Sequence, residues 1–565
     1  VLIWCWFWLL IITKMKKFKK IILTCLIAAP VVLINGCAKL EENVYDQLIT
    51  DNFYNNKNEV LSAVLRPYTH ANAWVTPSGQ DGWWRPAELS ADQLAWPTKG
   101  RHGEDGGKWK RLHYHTWLAD DGPLNNAWTL MFWGMGLCND PIENLEKRDI
   151  SRMGITQVEK DAYIAELKLL RAFHYLKLMD LFGNIPVVTQ VGIPAKPATL
   201  PRKDVFAFIE KEIKENIDKA PLHSKAMTGR MSQAGGYAML VELYLNAEVW
   251  TGTARWDDCI AAADKLISGA AGGQNGAMQL DPNIFDQFKS TNELSKEAIF
   301  SIAYEFRNAS FQPSWTGEFY HFQQGLIYGG NRNGNDGVVV IPGVFDTYDN
   351  TDLRKRGWLL EGPMVRFDNG QPALASGGNE YSGQQIVFVD NIRKNKTGST
   401  VSNMSEGEEN SGVRFNKYKL GNQIAGIVNG VSVPIDPNYN NTDWNIYRLT
   451  WVYFAKAEAL MRKAGNVATA DAVALINTTK SRAYAAADFV PYTTTSLTMD
   501  ELLAERGREF IFEGFRRNDL IRFGKFTTAS WWDHTPSQPF RNLMPIPQIQ
   551  RTLNVNLTQN PGYPQ

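Results

Sequence analysis

Cysteine is scarce. The chain has five in 565 residues, and beyond Cys37 only Cys138 and Cys259 remain. Neither lies in a CxxC pair or at a metal-ligand spacing, which excludes a zinc ribbon and a disulfide-dense scaffold. Both sit in helix-like contexts and read as buried free thiols, and whether they pair in an exported chain stays open. Net charge is also lacking, with 59 basic residues balanced by 59 acidic ones. No basic patch or stripe stands out, so nucleic acid is not an expected partner. Beyond Ile34 no apolar run is long enough to cross a bilayer. No GxSxG elbow, P-loop or cofactor fingerprint is recognisable, and no cofactor is expected.

The amino-terminal part carries export chemistry. Lys16, Lys17, Lys19 and Lys20 follow Met15 and precede an apolar run from Ile21 to Ile34 that is too short to span comfortably. Leu33, Ile34, Asn35, Gly36 and Cys37 then resemble the lipobox of bacterial lipoprotein precursors, with Asn35 departing from the usual small or apolar choice. The reading is a signal peptide over 15–36, lipid on Cys37 and a polar tether over 37–51. Residues 1–14, apolar and tryptophan-rich, read as a mis-set translation start. Without the five lysines that precede Cys37, 54 basic residues face 59 acidic ones, a net charge of −5.

The rest reads as one domain over 52–565, in which helical spacing alternates with loop-rich composition. Apolar residues recur at steps of three and four at Asn56–Ala71, Asn125–Lys147 and, most clearly, Thr156–Phe182. Gly183 and Pro186 stop that last segment. Further helices are expected at Arg202–Lys219, Ser232–Trp250, Trp256–Ile267, Trp444–Lys463, Ala468–Tyr484 and Met499–Phe523. Short connections between them give the rhythm of helix pairs. Small residues Gly235, Gly236, Ala238 and Ala247 opposite Tyr244 and Leu245 suit close helix packing. The scaffold thus spans about 52–271 and 443–565. Between these, 76–123 reads as long surface loops and 272–442 as an irregular region, with strand-like stretches at Ala298–Phe306, Ile386–Asp390 and Val413–Leu420.

Three blocks resemble the SusD/RagB-like nutrient-binding lipoproteins of Bacteroidetes-type bacteria. They are AELKLLRAFHYLKLMDLFGNIPVV at Ala165–Val188, YRLTWVYFAKAEALMR at Tyr447–Arg462 together with ERGREFIFEGFRRNDLIRFGKF at Glu505–Phe526, and the tail Leu543–Tyr563 with Met544-Pro545-Ile546-Pro547 and Asn560-Pro561-Gly562-Tyr563. The resemblance implies a mainly α fold, a right-handed superhelix of four tetratricopeptide-like units with loop-built binding sites and no catalysis. It further implies capture of oligosaccharides on the outer face of the outer membrane and transfer to a SusC-like TonB-dependent transporter. The Glu505–Phe526 block itself reads as structural, because Phe510, Ile511, Phe512 and Leu520 are helix-spaced and its arginines can pair with its own carboxylates.

A sugar ring offers flat C–H faces and hydroxyls, so its receptor needs flat aromatics beside amide, carboxylate or guanidinium groups. Two loops supply both. The first holds Trp83, Trp84, Trp96, Trp109 and Trp117 among Arg85, Asp92, Gln93, Lys99, Arg101, Asp105 and Lys108. The second, Phe311–Asn335, holds Trp315, Phe319, Tyr320, Phe322 and Tyr328 among Gln312, Gln323, Asn331 and Asn333. Trp83, Trp84, Trp96, Trp315 and Tyr320 are the expected glycan platforms, with Trp358, Trp531 and Trp532 as further contributors. No metal site is expected. His113 and His115 have no third ligand nearby and read as hydrogen-bonded loop histidines. A calcium-loop echo at Asn331, Asn333 and Asn335 fails, with Asp336 in the glycine place and Pro342 in that of the bidentate acid. Two other readings compete: peptide capture, and a surface-anchored glycoside hydrolase or lyase.

Overall fold

The longest helices begin where local chemistry says they should. Asn56 caps Lys57–Val75 by accepting the Glu59 amide at 3.1 Å. Thr156 and Glu159 form a reciprocal capping box at the head of Gln157–Phe182, each accepting the other's amide. Gly183, at φ +69°, ends that helix. From Arg171 to Phe182 every residue is buried, the mark of a helix enclosed on all sides. Its polar members are therefore paired: Arg171 with Glu212, Lys177 with Glu242 at 2.7 Å, and Asp180 with Arg517 at 3.2 Å.

The structure is a computed structural model. It describes residues 53–564 except 78–79, 101, 193, 290, 305–314, 329–333, 367–368, 377–379, 419–425, 429–430 and 434–441. The lipobox, Cys37 and the tether lie outside the described residues. Neighbouring helices pack in series. Gly122–Lys147 lies against both Lys57–Val75 and Gln157–Phe182, and the latter continues to Arg202–Asn216. Gln233–Leu245 packs on Trp256–Ile267, which packs on Leu449–Lys463, which packs in turn on Ala470–Lys480. Gly236 makes one close approach possible, since a Cβ there would lie 2.9 Å from the Ile217 side chain. Cys138 and Cys259 are buried free thiols. Residues 56–565 make one compact unit, and no helix among the described residues is long and apolar enough to cross a membrane.

Three expectations need correction. Trp444–Arg448 is not the start of a helix but a fully buried strand, paired antiparallel with Ala298–Ile302. Its aromatic and β-branched residues suit a ladder, and Leu449 begins the helix that follows. The expected helix over 499–523 is broken into Met499–Phe510 and Arg516–Arg522 by a turn in which Phe512 and Gly514 have φ of +74° and +88°. Finally, the stretch read as surface loop from 76 onward is buried almost without interruption from Asp81 to Pro97. It holds the short helix Trp84–Glu88 and the strand Leu94–Ala95, which pairs antiparallel with Val339–Val340.

Beneath it lies an ionic core. Arg354 pairs with Asp352 at 2.7 Å and Glu509 at 2.9 Å, Arg448 with Glu513 at 2.8 Å, and Lys417 with Glu513 at 2.6 Å, all at most 1 % exposed. The pairs foreseen within Glu505–Phe526 thus exist in part, as Arg506–Asp519 and Arg508–Glu505, but the larger set reaches across the sequence to Arg354, Lys417 and Arg448.

Candidate functional site

The two aromatic loops, more than 200 positions apart, meet. Arg85 and Glu318 form an ion pair at 3.1 Å, Trp84 packs edge-on against Phe319 at 5.4 Å, and Gly337 lies against the ring of Trp96. Lys99 fastens the junction. Its ammonium donates to the Gly337 carbonyl at 2.6 Å, and its backbone bridges to both His102 and Gly407. Burial, opposed by the Asp336 carboxylate, pushes this ammonium down to about 7.

Inside the junction the tryptophans stack on one another and on cations. Trp96 lies flat on Trp109 at 4.6 Å and 8°. The Arg85 guanidinium sits 4.9 Å from each ring while pairing with Asp81 at 2.9 Å, and Lys108 sits 4.3 Å from Trp109. The Arg85 contacts are buried, the stronger setting for a cation–π pair, whereas Lys108 is partly exposed. Trp83 carries the Lys177 ammonium 4.7 Å from its ring and lies against Gly514, while Trp84 donates to the Phe512 carbonyl at 2.8 Å. So the turn that breaks the expected helix at 511–515 exists to receive Trp83 and Trp84.

Four of the five expected platforms are therefore closed. Trp83, Trp84, Trp96 and Tyr320 are buried, between 1 % and 6 % exposed, with ring faces taken by protein. A short sequence cannot separate a tryptophan that stacks on a sugar from one that stacks on a neighbouring arginine, because both need the same alternation of rings and charges. Trp315 starts the helix Trp315–Phe319, and its side chain lies outside the described residues. Trp358 is buried as well, with the Lys417 ammonium 4.0 Å from its ring.

What the junction leaves at its rim is another set of rings. His102 and Phe322, one from each loop, meet at 4.6 Å with their planes tilted by 41° and are partly exposed. Beside them are Gln323, bonded to Ser376, the exposed carboxylate of Glu380 facing Gly100, and partly exposed Tyr381, which donates to Glu408. Phe322 was legible within the second loop. His102 was not, for it lies in a glycine-rich run with no other aromatic within five residues before it. The histidine pair is hydrogen-bonded, as expected: His113 to Asp533 at 2.6 Å, His115 to Ser537 and the Ser90 carbonyl at 2.8 Å each.

Comparison with known proteins fits this architecture. The SusD family model matches residues 271–563. The chain belongs to the SusD family. Its match to the starch-binding protein SusD of Bacteroides thetaiotaomicron is 27% identical over 440 residues, covering 73% of this chain and 74% of that protein. Among solved structures, a laminarin-binding SusD-like protein superposes with a TM-score of 0.67 at 18% identity, over 90% of this chain and 100% of the other. Surface glycan-binding protein A of Bacteroides thetaiotaomicron in complex with laminarihexaose gives 0.64 at 19% identity, over 89% and 99%. The mainly α SusD-type fold with a few short strands, as anticipated from the three sequence blocks, is thus the fold of this chain.

Proposed function

We propose that this SusD-family chain binds oligosaccharides at the cell surface and does no chemistry on them. The observation that carries the reading is the rim where the two aromatic loops join: the partly exposed rings of His102 and Phe322, in tilted contact, offer apolar surface, and Gln323 and Glu380 offer hydroxyl partners at their side. In this proposal Trp83, Trp84, Trp96 and Tyr320 form the rigid underlay that fixes the rim, a support that binding sites need if their geometry is to hold. Trp315, at the head of the second loop, remains a proposed platform. Starch and laminarin binding in relatives makes neutral glucans the first ligands to try. Lipid on Cys37 would hold the protein on the outer membrane, facing outward, and a SusC-like TonB-dependent transporter would take the captured glycan inward.

The test is calorimetric titration of the purified chain with malto- and laminari-oligosaccharides. His102→Ala and Phe322→Ala are each expected to weaken binding at least about ten-fold, equivalent to about 1.4 kcal/mol, with the fold intact by circular dichroism. Wild-type affinity in both variants would remove the rim from the site. Release of reducing ends during the titration would replace binding by hydrolysis, and binding of peptides instead of glycans would move the reading to peptide capture.

A further inference from the structure

Trp531 and Trp532 sit far along the sequence from the rim, on a tight turn closed by backbone bonds between Trp531 and His534 at 3.3 and 2.8 Å. Trp532 has φ +44°. In a turn closed this way a positive φ at the first central residue belongs to glycine, and a bulky side chain there is strained. The turn is nonetheless locked. The Asp533 carboxylate accepts from Tyr114 at 2.7 Å and from the Met404 amide at 3.0 Å, and bonds His113 at 2.6 Å. Trp532 donates its indole N–H to Ser402 at 2.9 Å, and the His534 ring lies flat on Trp531 at 3.8 Å and 7°. All this fixes two adjacent tryptophans that stay partly exposed, beside partly exposed Tyr114. Each ring packs in part on the buried cluster of Ala95, Ile341 and Met404, and the rest of it stays at the surface.

The turn is continuous with the rim. Ser402 holds Trp532, Met404 accepts the Thr98 amide at 2.8 Å, and Gly407 bridges to Lys99, whose other bridge is to His102. Ser402 and Gly407 are five positions apart, no more than ~18 Å of extended chain. We infer that the Trp531–Trp532 turn is a second saccharide-stacking platform, so that one extended oligosaccharide engages it and the His102–Phe322 rim together. The inference rests on the glycan-binding reading and deepens it by assigning to this turn the added affinity for a longer chain.

Trp532→Gly tests it, because glycine relieves the strain while removing the ring. Disaccharides and hexasaccharides of the laminari, malto, xylo and manno series are titrated into wild type and variant. In the wild type the hexasaccharide of the recognised series binds at least about ten-fold more tightly than the disaccharide. In Trp532→Gly that gain falls to within about two-fold, disaccharide affinity is unchanged, and the thermal midpoint drops by no more than about 2 °C. Undiminished hexasaccharide binding by the variant overturns the inference. Should the variant fail to fold, hydroxyl-radical footprinting of the wild type decides instead: the hexasaccharide protects Trp531 and Trp532 and the disaccharide does not, and equal labelling with and without bound hexasaccharide overturns it. A wild type that binds no member of any series sinks the glycan-binding reading itself, a result distinct from both.

Discussion

At the scale of single residues, the underlay of the site depends on positions that tolerate no added atom. A Cβ on Gly514 would lie 2.6 Å from the Trp83 ring, in a backbone at φ +88°. Gly514→Ala is expected to destabilise the chain by about 1–3 kcal/mol through strain and overpacking, read as a lower urea midpoint with an unchanged slope. Buried histidines set the response to acid. Burial pushes His115 and His174 down to about 3, and His223 and His534 down to about 4. Unfolded histidine titrates near 6.5, so between these values the unfolded chain binds more protons and stability falls as pH is lowered. Burial also raises Glu88 and Asp443 to about 8, which works in the opposite sense: the stability they add is present at acid pH and lost as pH rises through about 8. Two such carboxyls offset part of the effect of four histidines. The thermal midpoint should therefore decline from pH 6.5 to 4.5, and a flat profile across that window would contradict the burial of these rings.

At the scale of elements, the Glu505–Phe526 block shows how far local pairing goes. Sequence spacing suggests ladders of exposed charges, which contribute only ~0.2–1 kcal/mol each. In the folded chain Glu509 and Glu513 are instead sealed against Arg354, Arg448 and Lys417, from elements that carry no helical signal linking them to this block. Burial changes the magnitude, because removing one partner leaves a desolvated charge behind. Glu509→Ala is expected to cost about 3–5 kcal/mol, measurable by urea unfolding. A loss below 1 kcal/mol would mean the pair is hydrated. The same reasoning explains the misread turn at 511–515. Phe510, Ile511 and Phe512 are apolar at helical steps, yet the chain turns there to set the Phe512 carbonyl against Trp84 and Gly514 against Trp83.

At the scale of the whole molecule, the candidate site is a meeting of distant segments on a helical frame: residues 81–100, 102–109, 315–328, 334–338 and 402–409, with the turn at 531–534 beside them. The frame was legible in advance because caps, helical periodicity and stop signals act over a few residues. Thr156 with Glu159, Gly183 and the apolar stripe of Thr156–Phe182 each announce themselves locally, and the two loops rich in rings and polar groups stood out from that frame by composition. Which ring faces a ligand was not legible. Burial is fixed by what arrives from elsewhere in the chain: Gly514 under Trp83, the Phe512 carbonyl at Trp84, Gly337 against Trp96. The sequence by itself determined the family, the helical scaffold and the two loops that join. Only the tertiary structure decided that the conspicuous tryptophans close on protein while His102, Phe322 and the strained Trp531–Trp532 turn are left at the surface, because stacking on a cation and stacking on a sugar draw on the same residues and differ only in which partner reaches the ring.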